Sequence, residues 1–427
     1  MDSRAHTVVV GGGCLGVAAA ISIRRRLNQQ GNNEKVILVE KAILGSGLSS
    51  RHSGIVRAAN AEPAAAQLAM IASKMWLDLK NSWGVDLKNE QFGAVWIARA
   101  DAAGDNPKWR SLQEKLHNTG VPFNRISLDE ARDICPPNVI LNQNEVFYHE
   151  PDALQIDPSH FRAAAYDAVS FNDVEIREKT DVVGFIRNES GQIDSVITDN
   201  GIIPSRYVVN ALGPWSPRLF ASLGLQVPVS AESVTVVNWL TSRNHEQFKM
   251  PIIADYVNLA YFRLWRDGEI HMHQPRKRGP KETARAFAES PLSVMGADFV
   301  NDPTNQALGY SQIKQFEDIA RRRFNDVDKT VYGSGYRSYF DITPDLKFIL
   351  GPDHRLTNLI HCLGAGQSFK YAPVFGEIMA DFVTGGQAFA PIAQEFSIER
   401  FDQSYMSTFW AQVAGSENSL AVGDTNL

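Results

Sequence analysis

Cysteine is scarce: the 427-residue chain has three, at positions 14, 135 and 362. That odd number, with no pair at metal-ligand spacing, excludes a disulfide framework or a zinc site as the organiser of the fold. Basic runs are sparse too. The net charge is −6, and the cluster Arg276-Lys277-Arg278 with Lys281 sits beside Gly279 and Pro280, which reads as a solvated loop and argues against nucleic-acid binding. No apolar run approaches the roughly 18–20 residues of a membrane helix, and no basic segment followed by an apolar stretch opens the chain. The expectation is a cytoplasmic protein with no membrane span. Internal repeats and low-complexity segments are lacking as well, and residues 415–427 read as a loose polar tail.

What is present is ordinary globular composition, 44% hydrophobic and 21% charged, in a chain too long for one core, so two domains are expected. Residues 7–10 are β-branched and apolar, a buried strand, and run directly into Gly11-Gly12-Gly13-Cys14-Leu15-Gly16 and a helical run over 17–28. This is G-x-G-x-x-G between strand and helix. Gly11 permits the tight turn, Gly13 lets the backbone approach a pyrophosphate, Gly16 lets helix pack on strand, and the helix N-terminus supplies donors and dipole for phosphate. A second strand, 36–39, ends in Glu40, followed by Lys41; a carboxylate there accepts hydrogen bonds from an adenosine ribose and repels a 2′-phosphate. The motif specifies a dinucleotide and leaves FAD and NAD open.

After Glu40 the chain enters the loop Gly45-Ser46-Gly47-Leu48-Ser49-Ser50-Arg51-His52-Ser53-Gly54-Ile55-Val56-Arg57, then a helix expected over about 62–83. Farther on come Glu150-Pro151-Asp152-Ala153-Leu154-Gln155-Ile156-Asp157-Pro158, Val208-Val209-Asn210-Ala211-Leu212-Gly213-Pro214-Trp215-Ser216, Thr343-Pro344-Asp345 with Gly351-Pro352, and Gly364-Ala365-Gly366-Gln367-Ser368-Phe369-Lys370. In this order the landmarks resemble the D-amino-acid oxidase superfamily of flavoproteins, in its sarcosine oxidase, glycine oxidase and dimethylglycine dehydrogenase-like branch. The resemblance implies FAD on a Rossmann-type α/β domain of the glutathione reductase kind, interleaved with an α+β substrate domain on a mostly antiparallel sheet. It places the FAD domain in residues 1–88, 152–224 and 336–427, and the substrate domain in 89–151 and 225–335. Cofactor contacts are implied for Gly11, Gly13, Cys14, Leu15, Gly16, Glu40, Lys41, Ser49, Ser50, Arg51, His52, Ser53, Gly54, Ile55, Val182, Ala211, Gly213, Trp215, Gly364, Gly366, Ser368, Phe369 and Lys370.

Local signals agree with that division. An apolar strand over 206–211 ends in Gly213, where a missing side chain allows close approach. Gly364 and Gly366 lie between a strand over 359–363 and a helix around 373–383, whose N-terminus would stabilise negative charge on a reduced flavin. Ser127-Leu128-Asp129-Glu130 is a capping box. Residues 234–240 read as a strand, and 261–265 and 270–274 flank Arg266-Asp267-Gly268-Glu269 as a hairpin.

Amine oxidation needs a substrate C–H bond aimed at the flavin, so substrate anchors outweigh nucleophiles. Arg57 matches the sarcosine oxidase arginine that pairs with the substrate carboxylate, and its planar fork suits that task; Lys370 matches the second cation. Strand alternation puts Tyr261 and Arg263 on one face of the hairpin and His271 with His273 on one face of its partner. Tyr261 is therefore a further catalytic candidate, and so is His271, near the lysine that monomeric sarcosine oxidase uses to activate oxygen. The missing lysine leaves the acceptor open between O₂ and another carrier. Trp239, Tyr256, Tyr261, Phe262, Tyr336 and Phe340 are aromatic candidates for the pocket. Ser338 stands where the monomeric enzyme has its flavin-linking cysteine, so noncovalent FAD is expected, with attachment through His52 the lesser alternative. The function expected is oxidation of the C–N bond of a small carboxylate-bearing amine, an amino acid or N-alkyl amino acid, to a hydrolysable imine. The competing readings are a 2-hydroxy-acid dehydrogenase, a nicotinamide dehydrogenase, and a flavin subunit of a hetero-oligomeric complex. Oligomeric state is left open.

Overall fold

Strand Ala5–Val10 is buried along its whole length, with Val8 and Val9 fully inaccessible, each worth about 1.5–3 kcal/mol of burial. A strand apolar on both faces belongs inside a parallel sheet covered on both sides. It pairs in parallel with Val36–Val39 and with Gly201–Asn210. The computed structural model describes residues 4–87, 89–241, 249–265, 269–273, 308–327, 330–409 and 411. The basic cluster at 276–281, the turn 266–268 and the tail 415–427 lie outside these residues.

The sheet around this strand runs Val182–Arg187, Ile193–Thr198, Gly201–Asn210, Ala5–Val10, Val36–Val39, Glu175–Arg177, with Leu356–Leu363 beside Gly201–Asn210 and Ile349–Asp353 antiparallel to it. The helix Cys14–Gln29 covers it and packs against Ser368–Thr384. The two backbones approach closely because Gly376 has no side chain: a β-carbon there would lie 2.5 Å from the Ala18 carbonyl oxygen. Arg26 fastens the same pair to Glu377 at 3.0 Å and Asp381 at 2.8 Å.

A second sheet has the order Thr330–Ile342, Ser230–Thr241, Glu269–His273, Ala260–Trp265, Ile252–Asp255, Ala94–Arg99, Glu145–Glu150, Asn124–Ile126. It is antiparallel except where Ile252–Asp255 meets Ala94–Arg99, as the mixed fold class requires. A small third sheet joins Ile55–Val56, Leu154–Ile156 and Asn89–Glu90. We propose that the two large sheets mark the two interleaved domains expected from sequence; the strand Thr330–Ile342 runs through the boundary placed at 336.

Two local expectations change in detail. The helix over 62–83 is interrupted at Asp78, giving Pro63–Leu77 and Leu79–Ser82. The helix placed at 373–383 begins five residues earlier, at Ser368, with Pro373 inside it; proline favours a first turn, which drew the expected start too far along. The Ser127 capping box forms with both reciprocal bonds. All three cysteines are free and buried.

Arg323, 1% exposed at its side chain, pairs with Glu145 at 2.9 Å and Asp255 at 2.8 Å and donates to the Ile140 carbonyl oxygen at 2.6 Å. It joins the helix Tyr310–Arg323 to the strands Glu145–Glu150 and Ile252–Asp255. Removing one member of a buried ionic group strands the others without compensation. Arg323→Met is expected to lower unfolding stability by about 3–5 kcal/mol in urea titrations; a loss below about 1 kcal/mol would show that the group is not a staple.

Candidate active site

A cavity of about 1580 Å³ runs between the two large sheets, well beyond the roughly 300–1,000 Å³ of a site for one small organic ligand. Its first group of lining residues belongs to the glycine turn. Gly11 has φ +107, and a β-carbon there would lie 2.6 Å from the Ala211 carbonyl oxygen. At Gly16 a β-carbon would fall 1.8 Å from the Gly11 carbonyl oxygen, so only glycine lets the helix Cys14–Gln29 start directly on the turn. The Cys14 amide donates to Ser49 Oγ at 2.8 Å, which pins the loop beneath the helix end. The Cys14 thiol is pushed up to about 12, chiefly by burial.

Glu40 accepts from the Gly12 amide through Oε2 and from the Ala42 amide through Oε1, both at 2.8 Å. Each oxygen keeps a lone pair for a ribose hydroxyl. Lys41 stands 5.7 Å from the Trp215 ring centroid, and Val182 and Ala211 complete this part of the wall. Gly213 adopts φ +54, and its nearest neighbour for a β-carbon is Asp341 Oδ2 at 4.0 Å. Backbone conformation, and not crowding by protein atoms, is what calls for glycine at 213.

The loop 364–366 is held by a residue that sequence reasoning missed. Buried Asp341 accepts from the Gly364 amide at 3.2 Å and the Gly366 amide at 2.8 Å; burial raises its pKa, and these two amides oppose that rise. Because the next helix starts at Ser368, the side chains of Ser368, Phe369 and Lys370 stand in its first turn, where unpaired amides and the helix dipole face the cavity. The His52 ring lies 4.0 Å from the Phe369 ring centroid, and its Nδ1 accepts from the Gly54 amide at 2.9 Å. Burial first, and Arg263 next, depress its pKa to about 3, so the ring is neutral with its proton on Nε2.

The second group of lining residues gathers around Arg57. The guanidinium lies 4.7 Å from the Trp96 ring centroid and 5.7 Å from that of Tyr261, and it donates to the Ala59 carbonyl oxygen. Burial works against its charge, while Tyr261, Tyr256 and Glu150 hold its pKa above the usual range. The Tyr256 and Tyr261 hydroxyls are 2.7 Å apart, and burial raises the Tyr261 pKa well above the ordinary phenol value. Lys370 is 6% exposed, and its Nζ has no hydrogen-bond partner among the described residues. Glu150 supports this group from behind: it accepts from the Ala58 amide, from the Ala59 amide at 3.1 Å and from the Trp96 indole at 3.1 Å. A glutamate closing a strand reads as a solvated position, which is why its motif was legible and its burial was not.

Of the residues singled out from sequence, Gly11, Gly13, Cys14, Leu15, Glu40, Lys41, Ser49, Arg51, His52, Ser53, Gly54, Ile55, Arg57, Val182, Ala211, Gly213, Trp215, Tyr261, Gly366, Ser368, Phe369 and Lys370 line this one cavity. Gly16, Ser50 and Gly364 do not. Gly16 is spent on packing, Ser50 donates to the Ser46 and Gly47 carbonyls, and Gly364 is tied to Asp341. His271 pairs through the backbone with Arg263 and Asn238, and its side chain lies outside the described residues. Among the aromatic candidates, Tyr256, Tyr261 and Phe340 are on the wall, whereas Trp239 and Phe262 pack in the core of the second sheet and Tyr336 is off the wall. No cluster of metal-ligating side chains occurs among the described residues, and no helix among them is long and apolar enough to cross a membrane.

The glycine turn, a carboxylate closing the next strand and a cavity with room for more than a nucleotide fit a dinucleotide-binding protein, and residues 6–382 match the DAO family of FAD-dependent oxidoreductases, to which the chain belongs. FAD is its cofactor class. Among curated proteins it is 24% identical over 412 residues to 4-methylaminobutanoate oxidase (formaldehyde-forming) of Paenarthrobacter nicotinovorans, covering 95% of this chain and 47% of that protein. It is 23% identical to monomeric sarcosine oxidase of Streptomyces avermitilis, covering 92% of this chain and 97% of that protein. The chain thus spans about half the length of the first relative and nearly all of the second. In fold it is similar to L-proline dehydrogenase from P. horikoshii, with a TM-score of 0.80 at 21% identity over 95% of this chain and 99% of that one.

Glu40→Gln keeps the side chain's size but replaces one acceptor oxygen by a donor facing a backbone amide. Since hydrogen bonds to charged groups contribute about 1.5–3 kcal/mol, FAD affinity should fall about 10–100-fold, read from flavin fluorescence released on dilution. Unchanged affinity would remove Glu40 from the nucleotide site.

Proposed function

We propose that the chain oxidises the C–N bond of a small carboxylate-bearing amine, an amino acid or N-alkyl amino acid, to an imine that water then hydrolyses. The observation that carries this reading is the convergence of Arg57 and Lys370, from opposite ends of the sequence, on one end of a flavin-sized cavity. A guanidinium fork and an ammonium together bind a carboxylate in a fixed orientation. 4-Methylaminobutanoate and sarcosine, named in the two relatives, are both carboxylates carrying a methylated amine.

When bound, FAD supplies the acceptor for a hydride from the carbon next to nitrogen. The protein's own part is placement. Arg57 and Lys370 hold the carboxylate, Trp96 buttresses the guanidinium face, and Glu150 fixes the Ala58–Ala59 backbone from which Arg57 extends. Tyr256 and Tyr261 offer hydroxyls to the substrate's polar atoms, and the aromatic wall excludes water around the reacting carbon.

We further propose that FAD is held noncovalently. Ser338 is buried on the cavity wall at the place where the resemblance puts a linking cysteine, and a serine hydroxyl forms no thioether. His52 is held by the Gly54 amide on Nδ1.

Arg57→Gln removes a charged bidentate contact worth about 1.5–3 kcal/mol, so KM for an N-methyl or primary amino acid should rise about 10–100-fold in steady-state assays. Unchanged kinetics toward the best substrate of an anaerobic flavin-bleaching panel would remove Arg57 as the anchor. Acid precipitation of the holoenzyme should leave yellow flavin in the supernatant; colour retained in the pellet would establish a covalent link.

A further inference from the structure

Three groups that carry or can carry charge lie together at the substrate end of the cavity, Arg57 and Lys370 on its wall and buried Glu150 behind it. Arg57 directly follows the strand Ile55–Val56, Glu150 closes the strand Glu145–Glu150, and Lys370 stands in the first turn of Ser368–Thr384. Arg57 is always charged; burial raises the Glu150 pKa, while Arg57 and the Ala58 and Ala59 amides oppose that rise, and with the Trp96 indole also donating to it Glu150 is the carboxylate that balances Arg57. Lys370 makes no ion pair and no hydrogen bond through Nζ among the described residues, and it lines the cavity. Its near neighbours are the Tyr371 ring, whose centroid is 4.8 Å from Nζ, and, from the helix Pro63–Leu77, the uncharged Trp76 indole, which donates to the Lys370 carbonyl oxygen at 3.0 Å. With Arg57 and Glu150 already matched, a charged Lys370 would be a buried excess cation, which is costly.

An arriving amino acid reverses that balance. Its carboxylate brings the missing negative charge, whereas its ammonium is a third cation and has no lone pair to support hydride loss from the neighbouring carbon. In an α-amino acid both groups are attached to one carbon, so the amine sits beside its own carboxylate's anchor. Resting on the amine-oxidation reading above, we propose that Lys370 is uncharged in the free enzyme and accepts the proton of the substrate's ammonium on binding. The N–H bond of the substrate breaks and an Nζ–H bond forms. The positive charge moves from the substrate nitrogen to Lys370, and the new ammonium pairs with the carboxylate. No proton is exchanged with solvent, and the amine is left neutral for oxidation. Burial first, and Arg57 next, hold the Lys370 pKa well below its usual range while Glu150 raises it. A group so depressed is neutral above its lowered pKa and regains its proton when an anion is placed beside it.

The test uses holoenzyme and methoxyacetate, a carboxylate with no amine proton to give. Binding is followed by perturbation of the flavin absorbance, and proton exchange by phenol red in weakly buffered solution at pH 8. Wild type should take up close to one proton per methoxyacetate bound, and N-methylglycine, bringing its own proton, close to none. Lys370→Arg, permanently charged, should bind methoxyacetate with less than a tenth of that uptake. Its rate of anaerobic flavin reduction by N-methylglycine should fall at least tenfold at pH 7 relative to pH 10, compared with wild type. If methoxyacetate perturbs the flavin without proton uptake by wild type, the proton-acceptor role is overturned and the carboxylate anchor stands. If no carboxylate perturbs the flavin, both fall. Lys370→Met gives the same reading should the arginine variant lose FAD, with uptake again abolished.

Discussion

The packing of the helix Cys14–Gln29 on the helix Ser368–Thr384 is the constraint on which the rest depends. Each helix begins at the cavity, the first with the glycine turn and the second with Ser368-Phe369-Lys370, so their close contact through Gly376 sets how far apart the two halves of the site can be. Small residues achieve this. Ala18, Ala19 and Ala20 present almost no side chain, and Arg26 locks the far end of the pair to Glu377 and Asp381. A larger residue at 376 would push the helices apart and move Lys370 relative to the turn.

The substrate end obeys a different rule, set by electrostatics and not by packing. Charges taken out of water must be balanced locally, and here Arg57 is answered by Glu150. The aromatic residues do more than fill space: Trp96 covers the guanidinium face and donates its indole to Glu150, so one side chain touches both members of the balanced pair. Asp341 plays a comparable part for the loop 364–366.

Much of the nucleotide half was legible because its signals are local. A β-branched run, three glycines at fixed offsets and a carboxylate closing the next strand are neighbours in sequence and in space, and each is dictated by backbone geometry. Arg57 and Lys370 were readable only through resemblance, since nothing about an isolated arginine or lysine announces burial. Asp341 and Glu150 were missed as supports for the same reason: a carboxylate at a strand end normally meets water, and only the tertiary fold brings amides to it. Trp239 and Phe262 show the reverse error. Strand alternation in a sheet covered on both faces does not tell which face is cavity and which is core.

The Arg323 group has a consequence that reaches beyond the core it sits in. Asp255, one of its two carboxylates, also accepts from the Val257 and Asn258 amides at 2.9 and 3.0 Å, and so shapes the bend that presents Tyr256. That tyrosine stacks on Trp96 at 5.7 Å between centroids. Pocket shape is therefore adjustable from outside the pocket: natural variation at position 323 or its carboxylate partners would retune which side chains the enzyme accepts while every lining residue stayed the same.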